Sequence, residues 1–295
     1  MRELSKLAKF FIICAAVFFV GLVCAIGGVV CGGPDGLEQV AERYDWVHYT
    51  PGERSVTAQK VDDFHSIEVT GDMDLYIVGK EFYKNASWLA DQDMIDGDEL
   101  DVLGKNKVCV ICGDKVEQPE IEVKKGVLKI NSGSVDMNGI NLNLSDESWY
   151  PTILVCAPDD VLESLTVSGE TGDVDLLGVA WKTADIQLNY GDLSMEGVKS
   201  GALQVELDAG DMEIQGKLMG RTRVATDAGD IEIDTPLARA EYALKLRTDA
   251  GDLEVKETGR SAEEYEGGYK LEEYGGPHKL NVRTFSGDVE VHFGN

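Results

Sequence analysis

The chain has 295 residues, 27 of them Lys or Arg against 54 Asp or Glu, for a formal net charge of −27. That balance argues against a nucleic-acid binder, which needs a basic footprint to replace phosphate counterions. It also argues against direct docking on anionic lipid head groups. A hydrophobic content of 43% and this length allow an ordinary core in one large or two small domains.

Residues 1–9 hold Arg2, Lys6 and Lys9 against Glu3 alone, and residues 10–33 hold no charge at all. This run of Phe, Ile, Val, Ala, Leu, Cys and Gly is long enough to cross a hydrocarbon core of about 30 Å as a helix. The basic flank before it and Asp35, Glu38 and Glu42 after it place the N-terminus inside and the rest outside. A cleaved signal peptide would have a shorter apolar core, about 7–15 residues. Lipoprotein processing wants a small residue before the modified cysteine, but Val23 precedes Cys24 and Val30 precedes Cys31. The expectation is a cytoplasmic segment 1–9, an uncleaved single-pass anchor 10–33 in the lipid bilayer, and an extracytoplasmic domain at the cell membrane. Gly32-Gly33-Pro34-Asp35-Gly36 ends the helix, and residues 34–60 read as a spacer. In it, Tyr44, Trp46 and Tyr49 suit either the head-group level or the base of the domain.

From residue 61 to 295 the pattern is β. Ile67-Glu-Val-Thr-Gly71-Asp72-Met-Asp-Leu-Tyr-Ile77 alternates on both sides of a Gly-Asp corner. Irregular acidic residues 81–99 follow, then strand candidates at 107–111, 120–124, 127–131, 140–144 and 152–156. No convincing amphipathic helix follows the anchor. From about residue 163 the units are regular, with corners at Gly172-Asp173, Gly191-Asp192, Gly210-Asp211, Gly229-Asp230, Gly251-Asp252 and Gly287-Asp288. The first three intervals are 19 residues, the next 22 and the last 36. Residues 257–278 read as a loop or a degraded unit.

One parity is apolar on both sides of each corner, as in Val205, Leu207, Met212 and Ile214, or Val224, Thr226, Ile231 and Ile233. The other parity is polar, as in Gln204, Glu206, Glu213 and Glu232. Such period-two units, each lacking a second layer, must stack on one another. The expected fold is all-β: a β-solenoid or stacked β-strand-repeat domain following one N-terminal transmembrane helix. The strand–Gly-Asp–strand unit, with Ile153-Leu-Val-Cys-Ala-Pro158 and Leu162-Glu-Ser-Leu-Thr-Val-Ser-Gly at its entry, resembles the bacterial putative-adhesin family, a β-strand-repeat domain of unknown function. The similarity covers about residues 61–293 and is strongest from Thr152 on. It implies an envelope-exposed, membrane-anchored bacterial protein and no established activity.

Asp208 and Asp211, Asp227 and Asp230, and Asp249 and Asp252 flank the Ala-Gly of three successive units. Stacked, they would form two carboxylate ladders that must be hydrogen-bonded, splayed into water, or bridged by a hard cation such as Ca²⁺. Backbone capping is favoured over the cation, because the glycine-rich nonapeptide of calcium-binding repeats is absent. Cys109-Val-Ile-Cys112 is a lone CxxC in a strand-like run, where its cysteines face opposite sides, and Cys156 makes the domain's thiols an odd number. His48, His65, His278 and His292 show no metal spacing. Neither Gly-x-Ser-x-Gly nor His-Glu-x-x-His occurs.

The function these features support is a non-enzymatic surface module binding a cell-wall polymer or an envelope protein. Two alternatives stay open. A polysaccharide-active β-helix enzyme would need two carboxylates about 5–10 Å apart in a groove. A regulatory or sensory partner of a membrane protein would depend on this particular anchor.

Overall fold

A computed structural model describes residues 47–48, 54–84, 104–113, 116–133, 140–141, 150–158 and 161–294. The expected cytoplasmic segment and transmembrane helix lie outside these residues, as do residues 34–46 of the spacer, Trp88 and most of 81–99 and 133–149. Among the described residues no helix is long and apolar enough to cross a membrane.

The strands run in chain order from β1 (Val47–His48) and β2 (Arg54–Lys60) to β3 (Ser66–Thr70) and β4 (Asp74–Val78), followed by one helical turn, α1 (Lys80–Lys84). Then come β5 (Lys107–Gly113), β6 (Glu120–Lys124), β7 (Val127–Asn131), β8 (Ile140–Asn141) and β9 (Thr152–Cys156). The regular region holds β10 (Leu162–Thr171), β11 (Val174–Leu177), β12 (Ala180–Tyr190), β13 (Leu193–Ala209), β14 (Met212–Ala228) and β15 (Ile231–Thr235). It closes with β16 (Tyr242–Ala250), β17 (Leu253–Glu257), β18 (Glu263–Tyr265), β19 (Lys270–Glu273), β20 (His278–Ser286) and β21 (Val289–Phe293). The chain divides into two compact units. Of the smaller, the described strands are β1 and β8, a short parallel pair. The larger holds all the rest.

In the larger unit each turn has two arms, joined at a Gly-Asp corner in every turn except that of β7 and β9. First arms stack in the order β7, β3, β10, β12, β13, β14, β20, β16, all parallel. Second arms stack as β9, β4, β11, β13, β14, β15, β21, β17, again all parallel. The long strands β13 and β14 serve as the second arm of one turn and the first arm of the next. Between the two portions of this pair the register slips after Met195 and again after Ser200, beside the positive-φ Gly197. The domain is therefore the expected stacked all-β repeat.

Inward residues of the two arms meet in one core. None of Val205, Leu207, Val224, Leu246, Val282, Met212, Ile214, Ile231, Leu253 or Val289 is more than 4% exposed. Thr226, Thr248 and Thr284 share those columns at 3% exposure or less, because their hydroxyls donate to the carbonyls of Ala228, Gly287 and Gly229. Beneath β5 a second cluster joins Val78, Cys109, Ile111, Leu154, Cys156 and Leu177. Val56 of β2 packs against it, so residues 54–60, read as the end of the spacer, are a strand paired to β5.

Stacking does not follow chain order at either end. The last unit, β20–β21, lies between β14–β15 and β16–β17. The first, β3–β4, lies between β7–β9 and β10–β11. Both ends of the stack are closed by antiparallel strands: β6 on β7 and β5 on β9, β19 on β16 and β18 on β17. Residues 257–278 thus supply two antiparallel capping strands, where a loop or a degraded repeat unit was expected. Arg239 fastens them, hydrogen-bonding Glu263 at 2.9 and 3.2 Å and Glu273 at 3.0 and 2.5 Å.

Candidate functional site

The corner aspartates form one continuous ladder, and backbone occupies it. A carboxylate oxygen of Asp173 accepts the N–H of Asp192, that of Asp192 the N–H of Asp211, and that of Asp211 the N–H of Asp230, each at 2.8 Å. Asp230 then accepts from Asp288 at 2.8 Å, Asp288 from Asp252 at 2.7 Å, and Asp252 from Gly267 of the cap at 2.9 Å. The aspartates cap neighbouring turns, which satisfies N–H groups that a tight corner turns away from its own carbonyls. At the other end the ladder begins with Asp74, which accepts from Asp173 at 3.1 Å. Asp72, the aspartate of the Gly-Asp pair, is instead 2% exposed and accepts the N–H groups of Glu170 and Thr171. The Gly-Asp spelling misleads there because the first corner is one residue shorter than its neighbour.

Of the six aspartates singled out in the sequence, Asp208 lies beside Asp227 and Asp211 beside Asp230, while Asp249 and Asp252 are set apart from them. Asp211, Asp230 and Asp252 belong to the ladder, but Asp288 separates Asp230 from Asp252. Asp208, Asp227 and Asp249 face outward on first arms, and Phe285 of β20 stands between Asp227 and Asp249. Asp249 is held by Arg247 at 2.6 Å and Arg283 at 3.4 Å. The first two pairs stack as expected, and the intervening strand corrects the expectation for the third. Among the described residues, three potential metal-ligating side chains meet at Glu232, Glu290 and His292, which include none of the six. Glu290 there already bonds Lys256 and, at 2.7 Å, His292. Alternating outward glutamates on successive second arms were the sequence signal for this group.

A half-buried acidic cluster sits where β4 meets β11. Burial, reinforced by the charges of Asp173 and Asp175, pushes the Asp74 carboxyl up to about 6 against the pull of the Asp173 N–H. Burial and Asp173 push Asp175 up to about 6 as well, with the hydroxyls of Tyr76 and Ser194 acting the other way. Burial first, and then the charges of Asp74 and Asp173 among other nearby aspartates, raise Tyr76 and Tyr150. An open groove of about 700 Å³ runs along the edge of the second arms, lined by Lys199, Lys217, Asp234, Lys256, His292 and Phe293 among others. Asp74 and Asp175 do not line it, so the raised carboxylates and the groove are separate features. Cys109, Cys112 and Cys156 are all buried. Burial raises Cys156, and the Cys112 sulfur accepts a hydrogen bond from Gln118 at 2.8 Å.

Outward side chains of the larger unit fall in rows across adjacent strands. On second arms one row reads Glu213, Glu232, Glu290 and Glu254 on adjacent strands. Comparison with known proteins bears on this architecture. The Toastrack DUF4097 family profile matches residues 55–292. No curated protein matches the chain. Among solved structures, it is similar to a putative cell adhesion protein from Clostridium sporogenes at 12% identity and a TM-score of 0.42, covering 82% of this chain and 100% of that one. A putative adhesin from Bacteroides fragilis is similar at 12% identity and a TM-score of 0.35, over 83% and 99% of the two chains. A putative lipid binding protein from Parabacteroides distasonis is similar at 11% identity and a TM-score of 0.35, over 84% and 100%.

Proposed function

The chain belongs to the Toastrack DUF4097 family, and from that premise we propose that it is a non-enzymatic, adhesin-like surface-binding module held at the cell envelope by its N-terminal apolar segment. The observation that carries this reading is the conversion of sequence repetition into sheet area. Eight stacked turns enclose a filled core and lay their outward residues in rows at strand spacing. Such a surface engages extended ligands across many shallow contacts rather than a small molecule in a deep pocket. The uncharged residues 10–33 and their basic flank support a single-pass anchor with the domain outside.

The test uses the full chain in intact bacterial cells. Added protease is expected to remove the domain from whole cells, and alkaline washing is expected to leave the protein in the membrane pellet. Deleting residues 10–33 releases it. Retention of a protease-protected domain in intact cells would overturn the reading.

A further inference from the structure

The outer face of the first arms at the C-terminal end carries a charge opposite to that of the protein as a whole. Register places its residues in rows across β14, β20, β16 and β19. Arg221, Lys279 and Ala243 form one row, and Tyr274 follows from the β16–β19 register. Arg223, Asn281, Lys245 and Glu272 form the next. Ala225, Arg283, Arg247 and Lys270 form the third, and Phe285 stands in the fourth between Asp227 and Asp249.

All seven cations are exposed. Arg223 pairs with Glu206 at 3.1 Å, Lys270 with Glu272 at 2.8 Å, and Arg247 and Arg283 share Asp249. Arg221, Lys245 and Lys279 have no carboxylate at ion-pair distance among the described residues. Two large aromatics stand in the same array, Tyr274 at 90% exposure and Phe285 at 56%.

We propose that this face binds a linear carboxylated glycan. The proposal rests on the reading of the chain as a surface-binding module and names its ligand class. Arginine and lysine in adjacent rows meet carboxylates repeated along a polymer, and several weak contacts on one chain sum by effective concentration. The net charge of the molecule does not cancel this, because salt at physiological strength screens charges beyond about 8 Å and the local sign governs contact. Tyr274 and Phe285 distinguish a glycan from a bare polyanion: exposed aromatic faces pack on the apolar faces of sugar rings, which a chain of phosphates lacks. A second copy of the protein offers the acidic row Glu213, Glu232, Glu290 and Glu254, but two chains of charge −27 repel as they approach.

The test is titration of the purified full chain in detergent with polygalacturonate, with neutral dextran and linear polyphosphate as comparison polymers. Binding to polygalacturonate that weakens with added salt, with none to dextran, is expected. The triple variant R221Q/K245Q/K279Q removes exposed cations that make no ion pair. It should keep the thermal midpoint and lose at least about tenfold in affinity. Tyr274→Ala should weaken polygalacturonate binding by about threefold or more and leave polyphosphate binding unchanged. Absence of polygalacturonate binding, or a triple variant that binds as tightly, overturns the proposal. So does polyphosphate binding as tight as that of the glycan with Tyr274→Ala silent on both. A salt-sensitive oligomer of the free protein that the triple variant abolishes would assign the face to self-association and also overturn it. Because binding is read on purified protein, these failures are separate from failure of surface display.

Discussion

A Cβ added at Gly229 would stand 2.0 Å from the Gly210 carbonyl oxygen, and the residue has φ +145°. Stacking and backbone conformation therefore both demand glycine at the regular corner. Gly229→Ala is expected to cost about 2–4 kcal/mol, read from urea unfolding. Asp211→Ala removes the acceptor for the Asp230 N–H and should cost about 1 kcal/mol, whereas Asp211→Asn keeps an oxygen there and should be nearly silent. This contrast separates capping from charge. Asp74 and Asp175 act in the other direction. Burial pushes their carboxyls up to about 6 in the folded chain, above the ordinary aspartate value of 3.8. The folded state thus holds its protons more tightly, and the stabilisation is complete below about pH 4 and lost as pH rises through 6. The thermal midpoint should rise as pH falls from 7.5 to 5. Asp74→Asn/Asp175→Asn should raise it at pH 7.5, through a gain in unfolding free energy on the order of 1–2 kcal/mol after allowing for residual exposure, and flatten the pH profile. The glycines were legible from their spacing. The raised carboxyls were not, since nothing local in Asp74 or Asp175 reports which strand lies above them.

Strands were legible wherever period two was regular, and β9 and β7 fall at the residues their alternation marked. The cap was not, because Glu263–Tyr265 and Lys270–Glu273 are polar and short, and only the exposed edges of β16 and β17 make them strands. Without that cap the parallel stack would end in unpaired N–H and C=O groups, a template for association with other chains. Arg239, 13% exposed on its side chain, neutralises the two glutamates that bring the cap home. Arg239→Met is expected to free residues 258–277 for limited proteolysis and to speed amide exchange on β16, with little change in the remaining turns. β5 covers the opposite end and buries the cysteines. Cys109, Cys112 and Cys156 should therefore resist a thiol reagent until the domain unfolds.

At the scale of the molecule, the first and last units are sandwiched rather than terminal. A unit at the end of a stack buries one edge, while one between neighbours buries two, so this order gives the first and last units of the repeat a neighbour on both sides. Truncation after Gly276 should then do more than remove β20 and β21. With their stacking partner gone, β16 and β17 are expected to become protease-sensitive although their residues are intact, which limited proteolysis with mass spectrometry would read. A thermal midpoint unchanged by millimolar Ca²⁺ is expected too, since a backbone N–H already engages each ladder carboxylate, and a ligand selective for the folded state would raise it. The sequence by itself determined the all-β repeat, the inward and outward parity and the glycine corners, because alternation and close packing act over a few residues. Only the tertiary structure decided that Asp288 stands between Asp230 and Asp252, that Phe285 interrupts the outer aspartates, and that seven cations share one face. Those outcomes depend on which unit stacks on which, and identical apolar columns leave that order open to the longer connections between residues 230 and 278.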